Sequence, residues 1–194
     1  MKTRTEFRMN TLHAFSMKTL LIAILISALA GCSPAQASPA PSPQPIDEIR
    51  KSLELPELSV EFVENTTMMN APSLGLEVAN YRDSAGRIYS VDPKTNRVVE
   101  IDARALLTAI SPNAPVVTQE EIKAKAMKFA RAVIPDFDTV QSSLQYEEGG
   151  KVDNYFFSWY DKAGPGMMNR PFLQFGFHKS GLLFAYYNTL LLEK

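Results

Sequence analysis

The sequence contains few of the residues that most often carry chemistry in enzymes and metal sites. It has one cysteine, Cys32, and two histidines, of which only His178 lies outside the first 31 residues. A single cysteine forms no internal disulfide and supplies no pair of thiolates for a metal ion. Ser-His-Asp catalysis needs a histidine oriented by a carboxylate, and His178 lies in a predicted turn. We therefore expect a protein that is not an enzyme, without a metal site or a cofactor.

Two adjacent carboxylate pairs are the remaining candidates for acid or base chemistry. Glu120 and Glu121 fall in the first turn of a predicted helix, where the exposed N–H groups favour negative charge. Glu147 and Glu148 precede a predicted Gly149-Gly150 turn. The calcium-binding spacing Asp-x-Asp-x-Asp-Gly does not occur in the sequence. The two pairs are thus expected to have structural roles.

Long apolar runs are also lacking, and the longest one belongs to a secretory signal. Basic residues precede this run, Leu20–Ala30, which has about half of the ~20 residues that span a membrane. Small residues then lead to Cys32, as at a signal cleavage site. Leu29-Ala30-Gly31-Cys32 resembles the bacterial lipobox. The resemblance implies that residues 1–31 are a lipoprotein signal peptide and that Cys32 is lipidated.

The residues after Cys32 predict a spacer and then a folded domain. Residues 32–45 are rich in proline, serine and alanine, a composition that favours an extended polyproline-like linker. Residues 46–194 are long enough for one domain with its own core. The expected location is the cell envelope, attached by lipid. In a Gram-negative cell Ser33 resembles an outer-membrane address, on the periplasmic side; otherwise the outer face of the cell membrane is expected.

The mature chain lacks the strong positive charge of a nucleic-acid-binding protein. The sequence has 20 Lys and Arg and 21 Asp and Glu. Removal of residues 1–31 takes away four basic residues and one acidic residue, which leaves a net charge of −4. Affinity for nucleic acid depends on clustered basic residues that neutralise phosphates. The membrane and a protein or peptide are therefore the expected partners, and nucleic acid is not.

Residues 46–110 predict a helix followed by antiparallel strands. Ile46–Leu55 has apolar residues at helical spacing, and Leu58–Glu64 alternates as a half-buried strand does. Three further strands joined by tight turns are predicted at Leu76–Arg82, Ile88–Val91 and Val98–Ile101. Ala103–Ile110 predicts a short helix.

Residues 111–194 repeat this order. Thr118 and Glu121 form a capping-box pattern at the start of a helix that stops near Pro135. Strands are predicted at Val140–Glu147, Asn154–Asp161, Pro171–Phe177 and Leu182–Asn188, with Leu190–Leu192 as a further edge segment. The turns that end in Gly86 and Gly181 are the points at which the two parts look alike. We expect an α+β fold of two helix-plus-antiparallel-sheet units, about 46–110 and 111–194.

Three stretches resemble the PepSY-type family of exported bacterial proteins. They are Tyr81–Asp92, the Thr118–Pro135 helix, and Phe172–Asn188 with its Gly181 turn. In that family, which includes protease propeptides and repeats of lipoproteins, a helix packs on an antiparallel sheet and a glycine turn joins adjacent strands. The resemblance implies a binding or inhibitory module, often one that restrains a peptidase. It carries over no catalytic residue.

The second half of the domain is rich in aromatic residues. Alternation along each strand divides them between the two faces of the sheet, one of which must pack on the helix. Exposed aromatic patches often mark contacts with partners. The predicted binding surface comprises Tyr155, Phe157, Trp159, Tyr186 and Tyr187. The alternative is that a helix or loop covers this surface.

The leading hypothesis is a membrane-anchored envelope lipoprotein with a non-catalytic binding module for a protein or peptide, such as a peptidase that it inhibits. Such a module needs an open sheet face or an exposed strand edge. One alternative, a carrier of a small apolar ligand, needs an enclosed apolar pocket of roughly 300–1,000 Å³. Another alternative, an envelope hydrolase, needs His178 held by a carboxylate and facing a serine in a cleft.

Overall fold

An eight-stranded antiparallel sheet organises the described part of the chain, residues 43–68, 75–163 and 170–192 of a computed structural model. The strands are β1 Val60–Thr67, β2 Glu77–Asp83, β3 Ile88–Asp92, β4 Arg97–Asp102, β5 Leu144–Lys151, β6 Asn154–Asp161, β7 Phe172–His178 and β8 Leu183–Asn188. Their order across the sheet is β1-β2-β3-β4-β8-β7-β6-β5. The last strand of each group of four therefore lies at the centre, and β1 and β5 form the two edges.

A helix precedes each group of four strands. They are α1 Gln44–Ser52 before β1, and α2 Gln119–Val133 with the one-turn α3 Phe137–Val140 before β5. Short 3-10 turns occupy Arg104–Ala109, after β4, and Gln141–Ser143. The order of one main helix and four strands thus occurs twice. The predicted α+β fold with an antiparallel sheet is confirmed, and the strands of both halves belong to a single sheet.

The helix boundaries follow local signals in the sequence. Helix α1 includes Gln44 and Pro45, two residues that were predicted to belong to the linker. Proline is tolerated in the first turn of a helix because the N–H groups of that turn have no partner within the helix, so the missing N–H group of proline costs no hydrogen bond. At the start of α2 the predicted capping box is present: Glu121 N donates to Thr118 Oγ1 at 3.3 Å and Thr118 N donates to Glu121 Oε2 at 3.0 Å. The signal segment, Cys32 and the linker up to residue 42 lie outside the described residues.

The turn predicted at Gly149-Gly150 is wrong, because β5 continues through both glycines to Lys151. The chain reverses two residues later, and Lys151 pairs with Asn154. Gly150 has φ +139°, and a Cβ atom there would lie 2.1 Å from the Asn154 carbonyl oxygen. Glycine is thus required by a close approach beside the turn, and it does not form the turn itself.

Two further expectations are corrected. Leu190–Leu192 does not extend the sheet, since these residues form a turn after β8. The turns that end in Gly86 and Gly181 do not occupy equivalent places, because the first joins β2 to β3 and the second joins β7 to β8. When β1–β4 are matched to β5–β8, the counterpart of the Gly181 turn is the turn between β3 and β4, residues 93–96.

The hydrophobic core lies between the helices and one face of the sheet. Buried side chains of α1, α2 and α3 pack there against apolar residues of the strands: Ile46, Ile49, Leu53, Ile122, Phe129 and Phe137 against Tyr89, Ile101, Phe157, Trp159, Leu173, Phe175, Phe177 and Tyr186. The Phe129 ring lies 6.0 Å from that of Phe175 and 6.1 Å from that of Phe177. Burial of this apolar surface is the main favourable term in folding.

A buried ionic cluster attaches α1 to the hairpin of β2 and β3. The side chain of Asp83 is fully buried, and its Oδ2 lies 3.5 Å from Arg50 Nη2 and 3.2 Å from Arg87 Nη1. The Tyr89 hydroxyl donates to the same oxygen at 3.1 Å. Arg50, which is 1% exposed, also donates to the Leu58 carbonyl oxygen at 2.8 Å. Asp83 and Arg50 together thereby join a helix, a hairpin and the segment that leads into β1.

The hydrogen bonds of this cluster set the ionisation of Asp83. Burial by itself raises the pKa of Asp83, but the backbone and side-chain bonds from Arg87 and the bond from Tyr89 outweigh it, so that the pKa lies below its ordinary value. A carboxyl group with a lowered folded pKa stabilises the fold above its unfolded pKa of about 3.9. This stabilisation is lost as the pH falls through the folded value.

We predict that Asp83→Asn lowers the free energy of unfolding at pH 7 by about 3 kcal/mol, because Arg50 and Arg87 are left without their carboxylate. Urea denaturation measures the change. The difference in free energy of unfolding between the variant and the unsubstituted protein should become smaller as the pH falls below about 4, because Asp83 then becomes protonated in the unsubstituted protein. Asp138→Asn is the matched control, since the ion pair of Asp138 with Arg131 is exposed and should contribute less than about 1 kcal/mol. Equal, small effects of both substitutions would contradict the prediction.

Candidate functional site

The five residues of the predicted aromatic surface lie on two different faces of the sheet. Phe157, Trp159 and Tyr186 are at most 2% exposed and belong to the core under the helices. Tyr155 is half-buried against the same core. Tyr187 lies on the opposite face and is 8% exposed. The five residues therefore do not form an exposed patch, and this expectation is corrected.

Strand alternation and helix packing explain the correction. Tyr155, Phe157 and Trp159 are two residues apart along β6, so that all three point to the side on which the helices lie. There the Phe137 ring of α3 meets Trp159 edge-on, with 5.5 Å between ring centroids. Ser158, between two of these aromatic residues, points to the other face. Ser158 is a polar residue within an aromatic strand, and this pattern indicates a second, more polar face of the sheet. No role was predicted for Ser158 from the sequence.

The face opposite α1 and α2, called the open face below, carries a row of polar side chains that crosses all eight strands. Each strand contributes one residue, and each residue pairs in register with the next: Glu64, Asn80, Ser90, Glu100, Tyr187, Gln174, Ser158 and Glu147. Some neighbours in this row bond through their side chains. Ser90 Oγ donates to Asn80 Oδ1 at 2.8 Å, and Gln174 Nε2 donates to Ser158 Oγ at 2.7 Å.

Glu100 and Tyr187 form the centre of the polar row. Glu100 is 7% exposed and Tyr187 is 8% exposed, and the two residues face each other across the junction of β4 and β8. Burial, with a smaller contribution from the charge of Glu100, raises the pKa of Tyr187 to about 12. The Tyr187 hydroxyl therefore keeps its proton at neutral pH and donates a hydrogen bond to the Glu100 carboxylate.

A pocket of about 370 Å³ opens on the N-terminal half of the open face. Strands β1–β4 and the residues that follow β1 and β4 supply its lining: Thr66, Thr67, Met68, Val78, Asn80, Ile88, Ser90, Glu100, Asp102 and Arg104. Asp102 and Arg104 form a bidentate pair, with 2.9 Å between Oδ1 and Nε and 2.6 Å between Oδ2 and Nη2. Burial raises the pKa of Asp102, yet the bonds from Arg104 bring it below its ordinary value.

An aromatic cluster occupies the C-terminal half of the open face. Phe156 of β6 and Phe184 of β8 meet edge-on, with ring centroids 5.5 Å apart. Leu107, from the 3-10 turn after β4, packs against this cluster. Gly176 of β7 lies beneath the two rings, and a Cβ atom there would be 3.0 Å from each of them. The absence of a side chain at Gly176 therefore allows the rings to lie against the sheet.

A second pocket, of about 240 Å³, lies on the helix side of the sheet, beside α1, α2 and the end of β8. Its lining mixes apolar side chains with polar groups that include Glu48, Arg97 and Asn188. Asn188 Nδ2 donates to the Tyr186 hydroxyl at 3.1 Å. The volume is below the range of ordinary ligand pockets, so the open face is the stronger candidate site.

His178 makes a contact inside its own turn. Its Nδ1 lies 2.9 Å from Ser180 Oγ and accepts the Ser180 backbone N–H at 3.1 Å. In a catalytic triad Nδ1 donates to a carboxylate while the serine faces Nε2, which is the opposite arrangement. Within residues 43–68, 75–163 and 170–192, no group of three His, Cys, Asp or Glu side chains is placed to hold a metal ion.

The two carboxylate pairs do not converge on one site. Glu147 belongs to the polar row on the open face. Glu148 accepts bonds from Lys123 and from the Tyr146 hydroxyl, and these bonds lower its pKa. Glu120 is an exposed residue of the first turn of α2. These positions agree with structural roles for both pairs.

Both edge strands have features that oppose the addition of another strand. Edge strand β1 carries Glu61 and Glu64 and has an irregularity in register between Phe62 and Glu64. At the other edge, β5 carries Glu147 and Glu148 on successive residues. Charged residues and bulges are common protections of exposed sheet edges. These features make either edge less suited to pair with a strand of another chain.

None of the helices in the described ranges combines the length and the apolar character needed to cross a membrane. Comparisons of the chain with protein-family models, curated proteins and solved structures gave no match. The function is therefore inferred from the geometry of the sheet and from the sequence.

We predict that Gly176→Ala lowers the free energy of unfolding by about 1–3 kcal/mol, because the new methyl group crowds Phe156 and Phe184. Urea or thermal denaturation measures the change. Gly149→Ala is the matched control: Gly149 lies in the same cross-strand row, and a Cβ atom there meets nothing within 4 Å. The control should stay within about 0.5 kcal/mol of the unsubstituted protein. Equal stability of the two variants would contradict the packing role of Gly176.

Proposed function

We propose that this chain is a lipid-anchored envelope protein whose folded domain is a non-catalytic binding module for a protein or peptide partner. The polar row of the open face is the observation that supports this proposal most directly. It places one polar residue on each of the eight strands, on the face away from α1 and α2, and Glu64, Asn80, Gln174 and Glu147 of this row are exposed or half-buried. Protein interfaces combine such polar groups with aromatic side chains, and Tyr160 and Phe172 lie half-buried beside the row.

The repeated order of a helix and four strands supports a finer assignment of the domain as two PepSY-like units. The resemblance of Tyr81–Asp92, of α2 and of Phe172–Asn188 to that family is the basis of this part of the proposal. Members of the family are often held to restrain peptidases. A peptidase of the envelope is therefore the first class of partner to test.

The alternatives have less support from the geometry. A carrier of an apolar ligand needs an enclosed apolar pocket, whereas the larger pocket is lined by Glu100, Asp102 and Arg104. A hydrolase needs a histidine between a carboxylate and a serine, whereas His178 Nδ1 is engaged by the backbone of its own turn.

The proposed anchor is a lipid on Cys32, followed by a proline-rich spacer that separates the domain from the membrane. We predict that Cys32→Ser abolishes incorporation of radiolabelled palmitate in bacterial cells and moves the protein from the membrane to the soluble fraction, because the thiol is the site of attachment. Ser33→Ala should keep both properties. Undiminished labelling of Cys32→Ser would refute the anchor.

Photocrosslinking in the native envelope tests the binding surface. We predict that a photoreactive residue at Arg82 or at Gln145, on the open face of β2 and β5, gives an adduct of the same partner. The same residue at Ala124 or Ala132, exposed on α2, is the matched control and should give none. Adducts from the α2 positions alone, or from no position, would count against the open face.

A further inference from the structure

We infer that the 370 Å³ pocket of the open face receives one basic side chain, a lysine or an arginine, from the protein that docks there. The inference rests on the proposed function, because it names the chemistry of the partner at the same face. It is supported by the mixed polar and apolar lining of the pocket and by the negative net charge of that lining.

The lining is suited to a side chain that is apolar along its length and charged at its end. Ile88 supplies apolar surface beside the nearly fully buried Met68 and Val78, and the polar groups of the lining, Asn80, Ser90 and Glu100, include hydrogen-bond acceptors. Lysine and arginine bury their methylene groups against apolar surface while the charged end stays among polar groups. A purely apolar side chain would displace water from the polar groups of the pocket without replacing the hydrogen bonds of that water, at a cost in free energy.

The charges in the pocket favour a cation. Asp102 and Arg104 hold each other through two short bonds, so that this pair contributes no net charge. Glu100 adds one negative charge, on a side chain that is 7% exposed. Opposite charges attract more strongly where water is largely excluded. An acidic or phosphorylated partner would meet repulsion at the same place.

The surroundings extend this preference beyond the pocket. Glu61 and Glu64 of the neighbouring edge strand lie on the same face, and Arg82 pairs in register with Glu61. The pocket and these neighbours therefore carry four carboxylates, of Glu61, Glu64, Glu100 and Asp102, and two guanidinium groups, of Arg82 and Arg104. A segment with a basic residue is complementary to this charge, and complementarity of this kind governs the choice of partner.

Nuclear magnetic resonance of the full-length protein in detergent micelles tests the inference. The probe is the capped peptide Gly-Ser-Lys-Ser-Gly, compared with the same peptide carrying norleucine or glutamate in place of lysine. The lysine peptide is expected to give saturable shifts of the amide signals of Asn80, Ser90 and Glu100, and the norleucine and glutamate peptides are expected to give none. Equal shifts with norleucine, or shifts confined to residues outside the pocket, would overturn the inference.

Two substitutions that each replace a glutamate by the uncharged glutamine identify the charge that binds the lysine peptide. Glu100→Gln should weaken binding of the lysine peptide at least about tenfold, which corresponds to about 1.4 kcal/mol. Glu147→Gln is the matched control in the same polar row, outside the pocket, and should change affinity less than about twofold. Unchanged affinity of folded Glu100→Gln would overturn the inference. The comparison of the three peptides on the unsubstituted protein decides the question even when Glu100→Gln does not fold.

Three further outcomes separate this inference from the proposed function. If n-butylammonium binds as tightly as the lysine peptide, the pocket is a site for free amines, and the assignment to a protein side chain fails. If the open face forms adducts in the envelope while the lysine peptide does not bind, the inference fails and the binding module remains supported. Peptide binding without any adduct supports the basic-side-chain site and refutes the open face as the docking surface in the envelope.

Discussion

The pairing of β4 with β8 is the contact on which the rest of the structure depends. It comprises three residue pairs, and it joins two groups of four strands into one sheet. On the helix side it brings Ile101 against Tyr186 in a continuous core. On the open side it brings Glu100 against Tyr187 and so completes the polar row. Without this junction each half would leave a central strand unpaired, with its backbone donors and acceptors exposed.

The two faces of the sheet have different energetic roles. The helix side holds nearly all of the aromatic core and the cluster of Arg50, Asp83, Arg87 and Tyr89, in which one buried carboxylate is compensated by two cations. Such a group stabilises the fold only while every partner is present. The open side holds fewer apolar residues, a pocket with a buried carboxylate and cross-strand hydrogen bonds. Stability thus depends mainly on the helix side, and the open side adds a smaller buried cluster that includes Met68, Val99 and Phe184.

The proposed function is that of a module that acts by contact with a partner. A lipid at Cys32 and a proline-rich spacer would hold the domain near a membrane, where partners are confined as well. The pocket beside Glu100 would then select partners that present a basic side chain, because the pocket lining and Glu61, Glu64 and Arg82 around it carry more carboxylates than guanidinium groups. Confinement and charge selection are both compatible with a chain that has few residues suited to catalysis.

The sequence by itself determined the local elements. Thr118 and Glu121 defined the start of α2, and strand alternation located most of β1–β8; the lipobox and the spacer are predictions from short motifs. These signals are local, since each depends on a few neighbouring residues. The tertiary structure decided that Gly149 and Gly150 lie inside a strand, that Phe157, Trp159 and Tyr186 are buried, and that Glu100 lies beside Tyr187. Those facts depend on which strands pair and which face the helices cover, and residues as far apart as Glu100 and Tyr187 meet only when the chain has folded.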